Sequence, residues 1–143
     1  MTVPRITRNH DGQRLVEFNG RRHLVAYRRA VVRHCPGSAA DLYVCGPMTG
    51  LPHLNYPAFM AAEAQLQALG WRVRNPVHNG VPQDADYEAH MTADILMMRE
   101  CAGVALLPGW EASRGAAREI NEATRLGLVI EPLAYWVELL TLE

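Results

Sequence analysis

From Asp41 onward the chain alternates short apolar runs with segments of helical periodicity, and that alternation leaves few folds open to it. Residues 42–45 read as a short buried strand. Residues 56–69 carry apolar positions at Phe59, Ala62, Leu66 and Leu69, with Gly70 as the stop of a helix. A second strand spans 71–74 and ends at Asn75-Pro76. A polar loop with Gly80 and Pro82 leads into a helix over 87–100, whose apolar face includes Met91, Ile95 and Met98. The pattern then gives a strand over 103–107, a helix over 112–126, a strand over 128–130 and a tail helix over 133–140. Strands separated by helices of about four turns imply a parallel sheet covered on both faces, because right-handed crossovers put the helices there. The expected architecture is α/β, a flavodoxin-like or Rossmann-like doubly wound parallel sheet of about four to five strands.

The first 40 residues have a different character. Residues 14–18 and 22–27 alternate polar and apolar positions and meet across Asn19-Gly20, a strong two-residue hairpin signal. Residues 34–40, containing Pro36 and Gly37, break the periodicity and read as a linker. The expected organisation is a basic hairpin extension and linker over 1–40, followed by an α/β domain over 41–143. The division is also one of charge: residues 1–40 hold eight Arg against Asp11 and Glu17, giving +6, whereas residues 41–143 hold six Arg against thirteen acids, giving −7. Without aromatic interleaving or a nucleic-acid motif, the basic half reads as a surface docking on the acidic body of its own or a neighbouring subunit. Nucleic acid is not the expected partner.

Composition removes several classes of chemistry. All fourteen basic residues are Arg, so a lysine Schiff base or a P-loop lysine is excluded. Cys35, Cys45 and Cys101 form no CxxC and no even set, and the six His show no metal-ligand spacing, so neither metal nor cofactor is implied. No apolar run approaches the roughly 20 residues of a membrane helix, and the N-terminus lacks an apolar signal core. A soluble, cytoplasmic protein is expected.

Ligands of such sheets bind beyond the carboxyl ends of the strands, where strand order reverses. Two loops would face that crevice. The first, residues 46–50, offers Gly46, Met48, Thr49 and Gly50, a glycine-rich turn whose N–H groups can approach an anion. The second leads into the helix after the third strand, where Ser113 and Gly115 put a hydroxyl and open backbone at a helix N-terminus, the end that favours negative charge. Ser113 read alone is simply an N-cap.

Two carboxylates are candidates for chemistry. Glu119 lies a turn and a half into that helix and can act as a nucleophile toward an electron-poor carbon, although with Glu122, Arg118 and Arg125 nearby it can also be a surface ion-pair member. Asp94, amid Met91, Ile95, Met97 and Met98, is the candidate for moving a proton to or from a leaving group. An Asp so placed is costly to bury unless paired or functional, and otherwise faces solvent.

The set comprising residues 43–50, Asn55-Tyr56-Pro57-Ala58-Phe59, Asn75-Pro76, Asp94, residues 106–110, Ser113-Arg114-Gly115-Ala116 and Glu119 resembles the nucleoside 2-deoxyribosyltransferase-like superfamily. It is most similar to a branch common in phages and prophages, over about residues 41–131. The resemblance implies Glu119 as the nucleophile on C1′ and Asp94 as the acid or orienting group. Tyr56 and Asn75 would line the base or sugar side, though Asn75 equally suits a turn before Pro76. The transferases often carry an acid where this chain has Ser113. A serine there is similar to the nucleoside 5′-monophosphate N-hydrolases, which tilts the expectation toward a nucleotide substrate and water as acceptor. Cys101-Ala102-Gly103 also departs from relatives that carry an acid before the third strand.

The expected activity is therefore cleavage or transfer of an N-glycosidic bond on a nucleoside 5′-monophosphate or nucleoside, by a homo-oligomer as relatives commonly are. A non-catalytic nucleotide-binding module, serving as a phage or defence accessory, is the alternative.

Overall fold

A computed structural model describes residues 3–33, 35 and 37–141 of the chain. His34 and Pro36 of the expected linker lie outside the described residues.

The sheet of the main body contains β4 (Leu42–Cys45), β5 (Val73–Arg74), β6 (Gly103–Leu106) and β7 (Val129–Pro132), all parallel in the order β5-β4-β6-β7. Between them run α2 (Tyr56–Ala68), α3 (Tyr87–Met98) and α4 (Arg114–Arg125), and α5 (Leu133–Leu140) follows β7. The step from β4 to β5 moves one way along the sheet, and the later steps move the other way. Right-handed crossovers therefore put α2 on one face and α3 and α4 on the opposite face. Two apolar clusters record this. Leu42, Val44, Phe59, Leu66, Tyr135 and Trp136 form one, and Tyr43, Cys45, Val104, Met98, Ala116 and Ala123 form the other. The fold is α/β with helices on both faces, and strand order reverses between β4 and β6.

Trp136 anchors the first cluster. Its indole N–H donates to the Val104 carbonyl at 2.9 Å and to that of Glu131 at 3.2 Å, and its ring meets Trp71 and Tyr135 edge-on at centroid distances of 5.5 and 5.3 Å. Gly103 makes room for this ring, since a Cβ there would stand 3.2 Å from it and 2.9 Å from Leu42.

The N-terminal extension is larger than a hairpin. A strand missing from the sequence reading, β1 (Arg5–Arg8), pairs antiparallel with β2 (Arg14–Phe18), which pairs in turn with β3 (Arg21–Leu24). Asn19 and Gly20 have φ of 49° and 75°, both positive as a type I′ turn requires. The expected strand over 22–27 ends at Leu24, where β2 offers no further partner, and Val25 opens α1 (Val25–Arg33). That helix buries Val25 and Val32, two turns apart on one face. Val16, Phe18, Val25 and Val32 share the core of the main body, so the extension is packed onto it.

Charge also ties the two parts together. Glu131 on β7 is 4% exposed, and the Arg21 guanidinium donates to its two oxygens at 3.0 and 3.4 Å. Removing one partner of such a pair leaves a buried charge uncompensated. Arg21→Ala is expected to lower stability in urea unfolding by about 1–3 kcal/mol, and adding Glu131→Gln to that variant is expected to recover part of the loss.

Candidate functional site

Beyond the carboxyl ends of β4 and β6 lies a cavity of about 870 Å³, at the point where strand order reverses. Glu119 and Asp94 both line it, as do Gly46, Met48, Thr49 and Tyr56 from the β4 side and Ser113 and Gly115 from α4. Of the residues expected there, Gly50 and Asn75 are not among those lining it. Gly50 is a turn residue with φ of 83°. The Asn75 side chain accepts from Val77 N–H and donates to Glu63 at 2.9 Å, so it fulfils the turn role before Pro76 that the sequence left open.

Glu119 is buried, 5% exposed, because α4 lies close on the sheet through Ala116 and Ala123. β4 alternates its side chains, so Tyr43 and Cys45 share the face toward α4. The Tyr43 hydroxyl donates to Glu119 Oε2, and the Cys45 thiol lies 3.6 Å from Oε1. Glu119 is thus no surface ion-pair member. That role belongs to Glu122, which accepts from Arg99 and Arg125.

Burial pushes the Glu119 carboxyl up to about 8, and the negative charge of Asp94 adds to the rise. The hydrogen bonds from Tyr43 and Cys45 oppose it without cancelling it. The phenol and the thiol are themselves held well above their ordinary values, first by burial and then by Glu119, so both remain neutral donors. Asp94 is half-buried and also raised by burial, against the hydrogen bond it accepts from Asn79 at 2.8 Å and the nearby His90.

The second loop combines two functions. Ser113 caps α4, its Oγ accepting from Ala116 N–H at 3.1 Å, and its own O–H remains available on the cavity wall. Next to it stands Arg114, the permanently charged cation among the described lining residues, with its guanidinium 4.8 Å from the ring centroid of Tyr87. Arg118 stacks on the same ring at 5.8 Å but is committed to Glu88 through two hydrogen bonds.

The β4 loop is constrained differently from the sequence reading. A Cβ on Gly46 would stand 2.7 Å from Leu107 Cβ, so this glycine permits the two strand ends to pack. His53, Leu54 and Asn55 have φ of 51°, 53° and 60°, a left-handed stretch that non-glycine residues adopt at a cost of about 1 kcal/mol or more each. Asn55 holds it by donating to the Pro47 carbonyl at 2.9 Å, and the stretch puts Leu51 and Leu54 on the cavity rim.

Sequence reasoning missed Asn79, Tyr87, His90 and Arg114, all of which line the cavity. Tyr87, His90, Met91 and Asp94 follow the i, i+3, i+4, i+7 spacing of one helical face, a signal that was present but mixed polar with apolar types. Among the described residues, no group of three or more His, Cys, Asp or Glu is arranged to hold a metal ion, and no helix is long and apolar enough to cross a membrane.

Fold and cavity define a doubly wound α/β protein with a cavity at its switch point, floored by a carboxyl and rimmed by an arginine. Over residues 40–131 the chain matches a domain of unknown function, DUF4406, and it belongs to that family. No curated protein and no solved structure matches it.

A carboxyl whose native value lies above its unfolded one makes folding less favourable as pH rises. Between about 4.5 and 8 the unfolded chain releases the Glu119 proton and the folded chain retains it. Stability is therefore lost across that window and levels off above it. Glu119→Gln removes the effect. Its stability relative to the parent is expected to climb with pH by up to about 1.4 kcal/mol per unit, read by urea unfolding at pH 4 to 9. A constant difference would contradict the assigned burial.

Proposed function

We propose that this protein cleaves the N-glycosidic bond of a nucleoside 5′-monophosphate. The observation that carries the reading is the pair of carboxyls in one cavity, Glu119 on the floor against Tyr43 and Cys45 and Asp94 on the α3 wall, with the Arg114 guanidinium, stacked on Tyr87, at the rim. The motif set similar to the nucleoside 2-deoxyribosyltransferase-like superfamily supports it. Ser113, like the serines of the nucleotide N-hydrolases in that superfamily, supports a phosphorylated substrate.

In this reading the phosphate sits at the N-terminus of α4, against Arg114 and the Ser113 hydroxyl. An ionised Glu119 oxygen attacks C1′. The C1′–N bond breaks, and its electron pair leaves with the base, which takes a proton from Asp94. Asp94, now ionised, takes a proton from water as the water oxygen attacks C1′, and the ester bond to Glu119 breaks. The products are the free base and a sugar phosphate. Tyr43 and Cys45 donate to the carboxylate and stabilise it both before attack and on release.

The chemistry needs one proton shared between two raised carboxyls, with Glu119 the ionised member. Because burial favours the proton on Glu119, only a minor share of the one-proton form is reactive, and kcat/KM is expected to fall as pH rises through about 8, where the last proton leaves the pair. The same burial favours a second reading, in which a neutral Glu119 serves nucleotide binding without turnover.

Incubation of the protein with nucleoside monophosphates, followed by chromatography of the released base, separates the two. Turnover should fall roughly 10³-fold or more in Glu119→Gln, whereas saturable binding without base release supports the second reading. Arg114→Ala should raise KM roughly tenfold or more for nucleotides and leave nucleosides nearly unaffected. An equal effect on both would remove the phosphate from Arg114.

A further inference from the structure

Asn79 occupies the loop just before α3 and lines the cavity beside two residues of that helix, His90 and Asp94. Its amide can be oriented in only one way. The side-chain oxygen accepts from the Val81 backbone N–H at 2.9 Å, so the nitrogen must face the other way. That nitrogen lies 2.8 Å from Asp94 Oδ1 and 3.1 Å from His90 Nδ1. An NH₂ group has two hydrogens and no acceptor lone pair to offer, so it donates one to each neighbour. His90 Nδ1 is therefore the acceptor, and the ring proton is on Nε2. That Nε2–H has no partner among the described residues, and His90 is part of the cavity wall.

We infer that Asn79 fixes His90 as a hydrogen-bond donor beside Asp94, so that the pair reads a base with two neighbouring acceptors and favours a 6-oxopurine over a 6-aminopurine. The inference rests on the N-glycosidic reading above and specifies its substrate. A purine departs from its sugar more readily once N7 takes a proton, which Asp94 supplies. The group next to N7 is the O6 acceptor in hypoxanthine and guanine and the N6 amine donor in adenine. A fixed N–H at that place bonds the first and opposes the second. His90 is also one turn from Asp94 on the same helix face, at i and i+4, so both side chains reach the same edge of a bound ring. Asn79 touches neither the base nor the sugar in this scheme and acts as a positioning residue.

Two measurements test this. Long-range ¹⁵N–¹H NMR on the full-length protein at pH 7.5 reads the His90 tautomer without any ligand. Nε2–H is expected, and a proton on Nδ1 overturns the inference. Asn79→Asp is isosteric and keeps the acceptor for Val81, but puts a carboxylate oxygen against Nδ1, so the proton should move there. The second measurement is kcat/KM for inosine and adenosine monophosphates, in ribo and deoxy forms. The parent should favour the 6-oxo nucleotide by about tenfold or more, and the preference should collapse in His90→Phe and in Asn79→Asp. Cleavage of both bases with equal efficiency, or a preference unchanged in both variants, overturns the inference and leaves the N-glycosidic reading standing. Cleavage of pyrimidine nucleotides alone also overturns the inference, whereas failure to cleave any nucleoside monophosphate overturns that reading instead, while the tautomer measurement still decides whether the lock exists.

Discussion

The site depends on one unfavourable act, the burial of the Glu119 carboxyl without a cation beside it. The fold makes this tolerable with two neutral donors from a single strand. Tyr43 and Cys45 are two residues apart on β4, which puts them on one face of the sheet, and α4 lies against that face. Shifting either side chain by one position would send it to the α2 and α5 side. The approach of α4 depends in turn on Ala116 and Ala123, one turn on either side of Glu119, which have no bulk to hold the helix away. Two alanines, an alternating strand and one acid thus form a unit in which no member can be moved alone.

The strand and helix alternation of the body was legible because parallel strands covered on both faces are continuously apolar, and β4 and β6 are buried at every position. Element ends were less so. Residues 71–74 look like a strand, yet only Val73 and Arg74 pair with β4, since Trp71 is drawn into the aromatic cluster around Trp136. The extension was harder still. Val25, Ala26 and Tyr27 continue an alternating pattern that suits a strand, and only the lack of a partner beyond Leu24 turns them into a helix. β1 is a short, half-exposed segment whose hydrophobic signal is essentially Ile6, too little for periodicity to register.

The same contrast runs through the site. Asp94 and the two loops stood out as charge and glycine in apolar surroundings, whereas Glu119, amid Arg118, Glu122 and Arg125, was singled out by its place near the start of the helix and by the motif resemblance. Tyr43 and Cys45 could not, because a tyrosine and a cysteine inside an apolar strand look like ordinary core until the facing helix puts a carboxyl against them. Asn75 and Asn79 show the converse. Both cap turns through their side-chain oxygens, to Val77 and Val81, and they are four residues apart, yet their amide nitrogens serve different purposes. The first ties down Glu63 of α2, and the second faces the cavity. Local sequence encodes the turn in each case, and only the tertiary surroundings decide whether the remaining hydrogens hold the scaffold or orient the cavity residues His90 and Asp94.

The glycines of the two loops divide in a similar way, and the division bears on where a ligand's charge can sit. Gly46 is required by packing against Leu107, whereas a Cβ on Gly115 would meet nothing closer than 3.6 Å, so sterics within the protein do not demand a glycine there. Its absence of a side chain instead leaves backbone open at the first turn of α4, the part of the helix whose N–H groups and dipole favour an anion. Glu119 lies six residues after Ser113, a rise of about 9 Å, beyond the reach of that favourable field. One helix therefore offers two unlike environments along its cavity side: an N-terminus that stabilises negative charge and, further in, a dry segment that resists it. In the proposed reading, a nucleotide's permanent charge belongs at the receptive end, and its electrophilic carbon belongs towards the end where a carboxylate, once formed, is least stabilised and most inclined to react.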